Sequence, residues 1–207
     1  MIKTGREAIL YFGNKLYGDR FSLNDPATNE VYRKVYTSII GGKAAANAEM
    51  DPSRAILMIG DFGVGKTWLW TVMQQVFKNT KHAFLYAKAK DILAQAKDPD
   101  YGHDWAKWYY GTNCLRDLYI DDIGIGQADI NSYGNWSNIL HDILLIRYEM
   151  HVNHKFKTHL SSNVMTKVPA DAPPNVKSLE RILGERILDR LGETSQLIVW
   201  KGKSKRG

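Results

Sequence analysis

The sequence predicts an α/β fold in which a mainly parallel, five-stranded sheet lies between two layers of helices. Short apolar runs typical of buried strands alternate along the chain with amphipathic stretches typical of helices. One apolar run, Ala55 to Ile59, leads into a glycine-rich loop and a helix, and another, Leu118 to Ile120, ends in two adjacent aspartates. This alternation favours parallel strands that are joined by crossover helices.

The composition is that of a globular chain whose moderate positive charge suits an anionic partner such as nucleic acid. Of the 207 residues, 44% are hydrophobic and 24% are charged, which is ordinary for a domain with a sizeable core, and the net charge is +6. A single cysteine, Cys114, excludes a disulfide framework and suits a reducing compartment. No apolar run approaches the roughly 20 residues of a membrane span, and the N-terminus is too polar for a secretory signal. We therefore expect a cytoplasmic protein that does not enter a membrane.

Residues 1–50 are expected to form a short extension in front of the main domain, residues 51–207. Asp25-Pro26 is a helix-start signal and apolar residues follow at helical spacing, which predicts a helix over 26–40 that Gly41-Gly42 ends. We expect the aromatic residues before this helix to pack on the core, and a mobile arm that docks on a partner is the alternative. These aromatic residues are Tyr11, Phe12, Tyr17 and Phe21.

The loop after the first strand reads GDFGVGKT and matches the pattern G-x-x-x-x-G-K-[ST]. Its glycines let backbone N–H groups turn around phosphate oxygens, Lys66 adds a charge on the outer phosphates, and the Thr67 hydroxyl can ligate Mg²⁺. A helix predicted over 67–77 adds its positive dipole end. The motif therefore predicts nucleotide binding. We assign to the nucleotide Gly60, Asp61, Phe62, Gly63, Val64, Gly65, Lys66, Thr67 and Trp68, with core packing as the default for the Trp68 ring.

A strand, a helix and an aromatic segment are predicted between the phosphate loop and the aspartate pair. The strand candidate is His82 to Ala87 and the helix candidate is Asp91 to Ala96. Residues 98–112 are rich in tyrosine and tryptophan. We favour a helix that buries these rings in the core, and a platform that stacks on nucleic acid bases is the alternative.

Two later apolar runs end in polar groups that suit phosphate chemistry. At the end of the first, Asp121 would hold Mg²⁺, directly or through water, and Asp122 would orient or deprotonate an attacking water. At the end of residues 158–162, Asn163 could hydrogen-bond that water or the terminal phosphate. A solvated turn at the aspartates and an Asx turn at the asparagine are the alternatives.

The remaining residues are predicted to form two helices and a final strand. The helices are expected over 136–150 and 178–191, and the strand over 197–200. Arg147, near the end of the first helix, is expected to be solvated or to cap the helix dipole. The basic end, residues 201–207, is expected to fray.

From about residue 50 onward, a series of motifs follows in a fixed order: GDFGVGKT, LYIDDIG, ILLIRYE, THLSSN, LGERILDRL and GKSKR. In this order they resemble the DnaC/IstB-type AAA+ ATPases, a group that includes replicative helicase loaders and transposition helper ATPases. The phosphate loop is shared by many families, whereas GERILDRL and GKSKR are far more selective. The resemblance implies a three-layer P-loop NTPase fold of the AAA+/ASCE class, with ATP and Mg²⁺ as cofactors.

The resemblance also implies roles for individual residues. Lys66 and Thr67 match the pair that grips the nucleotide, and Asp121 and Asp122 match the metal-binding and water-activating pair. Asn163 matches the sensor of the γ-phosphate.

Three arginines extend these implied roles. Arg190 resembles the arginine finger that reaches the neighbouring subunit's site, and Arg186 is the second choice for that role. Arg206 resembles a late arginine that approaches nucleotide in the same subunit. The alternative for each is a surface charge or an ion pair with Glu185 or Asp189.

Some features depart from the family pattern. Many AAA+ proteins carry Glu where this chain has Asp122. Only 44 residues follow Asn163, which suggests no full helical lid, and residues 1–50 leave little room for the helicase-binding domain of true loaders. The resemblance extends to mobile-element relatives of the loaders, in which a stretch like Tyr133 to Glu149 precedes the fourth strand.

We therefore expect an assembly- and DNA-dependent ATPase, most similar to a helicase loader in DNA replication. Its expected partners are further copies of itself, arranged head to tail, single-stranded DNA and a replicative helicase. A transposition helper that binds duplex DNA is the alternative within the family. A small-molecule kinase and a nucleotide-dependent binding module with little hydrolysis are alternatives from other classes.

Overall fold

The structure is a computed structural model that describes residues 4–124, 130–132, 135–169, 171–173, 175–202 and 204. The main helices are α1 Gly5–Tyr17, α2 Pro26–Ile40, α3 Gly42–Ala46, α4 Lys66–Phe77, α5 Ala89–Lys97, α6 Gly102–Ala106, α7 Ile139–His154, α8 Leu179–Leu183 and α9 Glu185–Thr194. The strands are β1 Ala55–Gly60, β2 Leu85–Lys88, β3 Leu118–Ile123, β4 Ile130–Ser132, β5 Asn135–Ser137, β6 Thr158–Ser162 and β7 Ser195–Trp200. None of the described helices is long and apolar enough to cross a membrane.

Within the described residues, five strands form one sheet in the order β2-β3-β6-β1-β7, and every neighbouring pair is parallel. Side chains alternate across this sheet. In β1, Ile56 and Met58 face a core shared with α1, α2 and α4, whereas Leu57 and Ile59 face a core shared with α5, α7 and α9. The predicted three-layer α/β fold with a parallel sheet is confirmed.

The first helices share the core of the sheet. Phe21 and Tyr32 are buried beside Trp200 of β7, with ring centroids 5.6 Å apart for Phe21–Tyr32 and 6.3 Å apart for Tyr32–Trp200. Tyr17 stacks on Trp68 of α4 at 4.2 Å. The expected core packing of the early aromatic residues is therefore confirmed for these rings, while Tyr11 remains 52% exposed.

Several predicted boundaries were wrong. The strand expected over 82–87 is β2, which begins only at Leu85. Helix α7 begins at Ile139 because the Asn138 side chain caps it, accepting from His141 N at 3.2 Å. The helix expected over 178–191 is broken into α8 and α9 at Gly184, whose φ of 86° a helix cannot continue through.

The aromatic segment after α5 divides between core and surface. It forms α6 and a π-helical turn, Lys107–Thr112. Tyr110 is buried in the core, whereas Tyr101 and Trp108 are each 51% exposed. The expectation that a helix buries all these rings was therefore wrong for part of the segment.

Arg147 is buried, contrary to the expected solvated position. Its guanidinium donates to the Thr158 hydroxyl at 2.8 Å and to the carbonyls of Cys114 at 2.6 Å, Arg116 at 2.9 Å and Lys157 at 3.1 Å. Burial lowers the pKa of Arg147 from its usual value. The side chain therefore ties α7 to the segments that lead into β3 and β6.

We expect Arg147→Lys to lower the free energy of unfolding by about 3 kcal/mol, because an ammonium cannot reproduce the planar fork and leaves buried carbonyls unpaired. Urea denaturation measures the change. Arg116→Lys, which changes an exposed side chain on the segment that leads into β3, is the control and should stay within about 0.5 kcal/mol of the wild type. If Arg147→Lys also stayed within about 0.5 kcal/mol of the wild type, the role of Arg147 in tying α7 to these segments would be contradicted.

Candidate active site

The polar groups predicted from separate motifs meet at one edge of the sheet. The glycine-rich loop follows β1, the aspartate pair lies in β3, and Asn163 follows β6. The carboxyl ends of parallel strands share an edge, where open α/β sheets bind their ligands. At this edge lies a pocket of about 300 Å³. It is lined by Phe62, Gly63, Gly65, Lys66, Thr67, Trp68, Lys88, Lys90, Asp121, Asp122 and Asn163.

The glycine-rich loop presents the amino end of α4 to this pocket. Gly63 and Gly65 have φ values of 80° and 110°, which side chains with a Cβ rarely adopt. Gly65 precedes α4 and no side chain caps this end of the helix. The first N–H groups of α4, together with the helix dipole, therefore form a ready site for phosphate.

Lys66 is held by acceptors from its own loop and from a neighbouring strand end. Its ammonium donates to the carbonyl of Gly60 at 2.7 Å, to the carbonyl of Asp61 at 2.9 Å and to Asn163 Oδ1. The side chain is only 5% exposed. An ammonium has three donors, and phosphate oxygens would replace some of these acceptors.

Asp121 is a fully buried carboxylate surrounded by hydroxyl groups. Thr67 Oγ1 and the Tyr86 hydroxyl each donate to Oδ2 at 2.8 Å. Ser161 Oγ donates to Oδ1 at 2.5 Å, and the Tyr119 hydroxyl shares its hydrogen between Oδ1 at 2.5 Å and Ser161 Oγ at 2.8 Å. Burial, together with the charge of Asp121, raises the pKa of Tyr119 and of Tyr86 well above the usual value, so both phenols stay protonated as donors.

This arrangement suits a hard divalent cation. Mg²⁺ prefers oxygen ligands and is commonly held by one or two carboxylates together with substrate phosphates. The Thr67 hydroxyl and the Asp121 carboxylate supply oxygen beside the phosphate loop, 2.8 Å from each other. The residues present therefore fit the cation that the motifs predict.

A bulge in β3 turns both aspartates toward the pocket. Adjacent strand residues normally face opposite sides of a sheet. Here the register of β3 on β6 shifts between Ile120 and Ile123, and Asp122 has a φ of 58°. Asp122 N donates to Ser161 Oγ at 3.1 Å, which fixes the turned backbone.

Asn163 links the phosphate loop to the second aspartate. Its Oδ1 accepts from Lys66, and its Nδ2 donates to Asp122 Oδ1 at 3.2 Å. The amide therefore contacts both the side chain that would hold phosphate and the carboxylate that would face a water.

No protein-family model and no curated protein matches the sequence. The fold matches the DnaC helicase loader with a TM-score of 0.57 and 18% identity, over 87% of this chain and 94% of that chain. It matches DnaI with a TM-score of 0.57 and 17% identity, over 90% of this chain and 88% of that chain.

The chain has the fold of the DnaC helicase loader and of DnaI. The resemblance predicted from the motifs is therefore confirmed at the level of the fold. A candidate primosome component from Streptococcus pyogenes serotype M3 also matches, with a TM-score of 0.57 and 14% identity, over 98% of this chain and all of that one (100%). AMPPCP-bound DnaA from Aquifex aeolicus matches with a TM-score of 0.50 and 16% identity, over 74% of this chain and 42% of that chain.

Neither Arg186 nor Arg190 lines this pocket. Arg190 lines a small cavity with Ala55 and Thr158, at the amino ends of β1 and β6, and its guanidinium lies 4.5 Å from the centre of the Tyr148 ring. Strand β1 separates this cavity from the phosphate loop by about 17 Å, at about 3.3 Å per residue. Arg186 is exposed in the first turn of α9, and Arg206 lies outside the described residues, as does Tyr133.

The other residues assigned to the nucleotide occupy different places in the loop. The carbonyls of Gly60 and Asp61 bind Lys66, and the Val64 side chain is buried in the core. Phe62 is 65% exposed at the rim of the pocket. Trp68 lines the pocket, with the guanidinium of Arg20 at 5.7 Å from its ring centre.

Sequence reasoning missed several residues that contact or line the site. Tyr86, Tyr119 and Ser161 bind Asp121, and Lys88 and Lys90 line the pocket. A signal existed for Tyr119, because residues two apart in a strand share a face. The other contacts depend on how distant strands pair, since Lys88 lies opposite Asp121 in the parallel register of β2 and β3.

Proposed function

We propose that this chain is an ATP-binding and ATP-hydrolysing AAA+ protein that acts on DNA as a helicase loader-like ATPase. The observation that carries the proposal is the meeting of Lys66, Thr67, Asp121, Asp122 and Asn163 in one pocket of about 300 Å³. The fold likeness to the DnaC helicase loader and to DnaI favours the loader-like role over other uses of such a pocket.

ATP would bind with its phosphates inside the loop of residues 60–67, against the amino end of α4. Lys66 would exchange acceptors of its own chain for phosphate oxygens. Thr67 and Asp121 would hold Mg²⁺, which when bound neutralises charge on the β- and γ-phosphates. Trp68 lines the pocket and would contact the bound nucleotide.

Asp122 is the proposed general base, and Asn163 the proposed sensor. A water held between them gives a proton to Asp122 as its oxygen attacks the γ-phosphorus. The bond between that phosphorus and the β–γ bridging oxygen breaks, and ADP and phosphate leave. Asn163 would sense the γ-phosphate because its amide lies between Lys66 and Asp122.

Subunits are proposed to assemble head to tail, with Arg190 of one copy beside the triphosphate of the next. Support comes from the place of Arg190 at the end of the sheet opposite its own phosphate loop. An arginine supplied in trans stabilises charge on the transferred phosphoryl group. Arg186 is the second choice, and Arg206 is proposed to approach nucleotide within its own subunit.

Single-stranded DNA and a replicative helicase are the proposed partners. The net charge of +6 suits a polyanion, and the exposed rings of Tyr101 and Trp108 suit stacking on unpaired bases.

Light scattering of the full chain tests this function. We expect the mass to rise when a nonhydrolysable ATP analogue and single-stranded DNA are added together, and to stay lower with ADP. Lys66→Ala, which cannot hold phosphate, is the control and should not assemble with the analogue. A monomer under every condition would contradict the proposal, and a stronger response to duplex DNA would favour a transposition helper instead.

A further inference from the structure

The hydrogen bonds at Asp121 fill the carboxylate oxygen that faces the phosphate loop. An ionised carboxylate has about four lone-pair sites, two on each oxygen. Thr67 and Tyr86 each donate to Oδ2 at 2.8 Å. At Oδ1, Ser161 Oγ donates at 2.5 Å, and the single hydrogen of the Tyr119 hydroxyl is shared between Oδ1 at 2.5 Å and Ser161 Oγ at 2.8 Å. With both sites of Oδ2 in use, a water molecule carried by Mg²⁺ can donate to this oxygen only after Thr67 or Tyr86 has left.

The two hydroxyl groups at Oδ1 are fixed by packing. Tyr119 and Ser161 have no exposed surface, and the Tyr119 ring is stacked on Trp70 at 4.2 Å. Their oxygen, Oδ1, is also the one farther from the phosphate loop, because Thr67 of the loop donates to Oδ2. These donors therefore hold the carboxylate in place and do not exchange.

Of the two donors to Oδ2, Thr67 can stay. Its hydroxyl donates its hydrogen to Asp121 and keeps oxygen lone pairs for a metal ion. Tyr86 differs, because its hydroxyl occupies the remaining site of Oδ2 at 2.8 Å. It lies in β2, a strand of four residues at the edge of the sheet, and its side chain is only partly buried.

We propose that Tyr86 is the exchangeable donor: a positioning residue that occupies the metal-facing oxygen of Asp121 without nucleotide and gives way to metal-bound water when MgATP or MgADP enters. The inference rests on the proposed nucleotide site. Asp121 then acts on the metal through water, and the hydroxyl of Tyr86 competes with Mg²⁺ for the same oxygen. The competition sets how much Mg²⁺ the site requires.

Tyr86→Phe tests this competition, because it keeps the ring and removes the hydroxyl. The measurement is the affinity of the full chain for a fluorescent ADP as Mg²⁺ is varied, which does not depend on turnover. We expect the Mg²⁺ concentration that gives half of the maximal increase in ADP affinity to fall about three- to tenfold. The reason is that the hydrogen bond from the residue 86 hydroxyl to the charged Asp121 no longer has to be broken. Affinity for ADP without Mg²⁺ should not change.

Tyr110→Phe is the matched control, because it removes a partly buried hydroxyl that donates to Gln95 Oε1 at 2.7 Å on the other face of the sheet. Its Mg²⁺ requirement should equal that of the wild type. An unchanged or raised requirement in Tyr86→Phe would overturn the inference while leaving nucleotide binding intact. No binding of fluorescent ADP by the wild type would instead overturn the proposed function, and the inference with it.

A second measurement applies if Tyr86→Phe does not fold. Fluorotyrosine in place of tyrosine leaves every hydroxyl present, and incorporation at position 86 alone assigns the ¹⁹F resonance to that residue. We expect this resonance to shift on addition of MgADP and to stay in place with ADP alone. If the resonance has the same position with MgADP as with ADP alone, the inference is overturned.

Discussion

Asp122→Asn is expected to reduce ATP turnover at least about 100-fold and to leave ATP affinity within about twofold of the wild type. Asparagine keeps the shape of the side chain, accepts the hydrogen bond from Asn163 and tolerates the φ of 58° at this position. It removes the base that would take a proton from the attacking water. The rate of phosphate release measures turnover, and the binding of a fluorescent ATP measures affinity, so the two effects are measured separately.

Glu30→Gln is the matched control for this substitution. Glu30 is an exposed carboxylate that pairs with Arg33 at 2.7 Å in α2, away from the pocket. The same change from acid to amide there should leave turnover unchanged. If Asp122→Asn kept full turnover, the general-base role would be wrong. If it lost ATP binding as well, its role would be to hold the nucleotide.

Arg190→Ala is expected to reduce turnover about 1,000-fold or more in homogeneous assemblies, while each subunit still binds ATP. The reason is that its guanidinium would stabilise the transferred phosphoryl group of the next copy. A purely structural role, through the contact with the Tyr148 ring at 4.5 Å, would cost about 0.5–2 kcal/mol of stability and no turnover.

Comparison with two further variants identifies which arginine acts. Arg186→Ala, four residues earlier on the same helix, tests the second choice and is expected to retain most of the turnover. Tyr148→Leu removes the ring contact but leaves Arg190 in place, so it should lower stability more than turnover. Full activity of Arg190→Ala with loss in Arg186→Ala would move the role to Arg186.

The sheet and the phosphate loop could be predicted because their signals are local. The buried run from Ala55 to Ile59 and the spacing of glycines before Lys66 each express one physical demand within a few residues. The same holds for α2, where Asp25 caps the helix and accepts from Thr28 N at 2.8 Å.

Other features depend on contacts between distant segments and left no local pattern. Tyr86 reaches Asp121 across two paired strands, and Arg147 is buried because carbonyls from two other segments converge on it. The bulge at Asp122 reverses the alternation that a regular strand would have. The break at Gly184 was hidden because apolar residues continue at helical spacing on both sides of it.

The place of Arg190 keeps this side chain away from the phosphate loop of its own copy. Its cavity lies at the amino ends of β1 and β6, and the phosphate loop lies at their carboxyl ends. The order of the motifs suggested that Arg190 acts as an arginine finger, and the distance along β1 supports the proposal that it would act on a second copy.

Mixing Arg190→Ala with Lys66→Ala tests this shared site most directly. The first variant keeps an intact pocket, and the second cannot hold phosphate but keeps Arg190. Neither should hydrolyse ATP alone, and we expect turnover to return when they are mixed, because the pocket of one meets the arginine of the other. Mixed assemblies that remain inactive, although light scattering shows that they form, would contradict a site shared between copies.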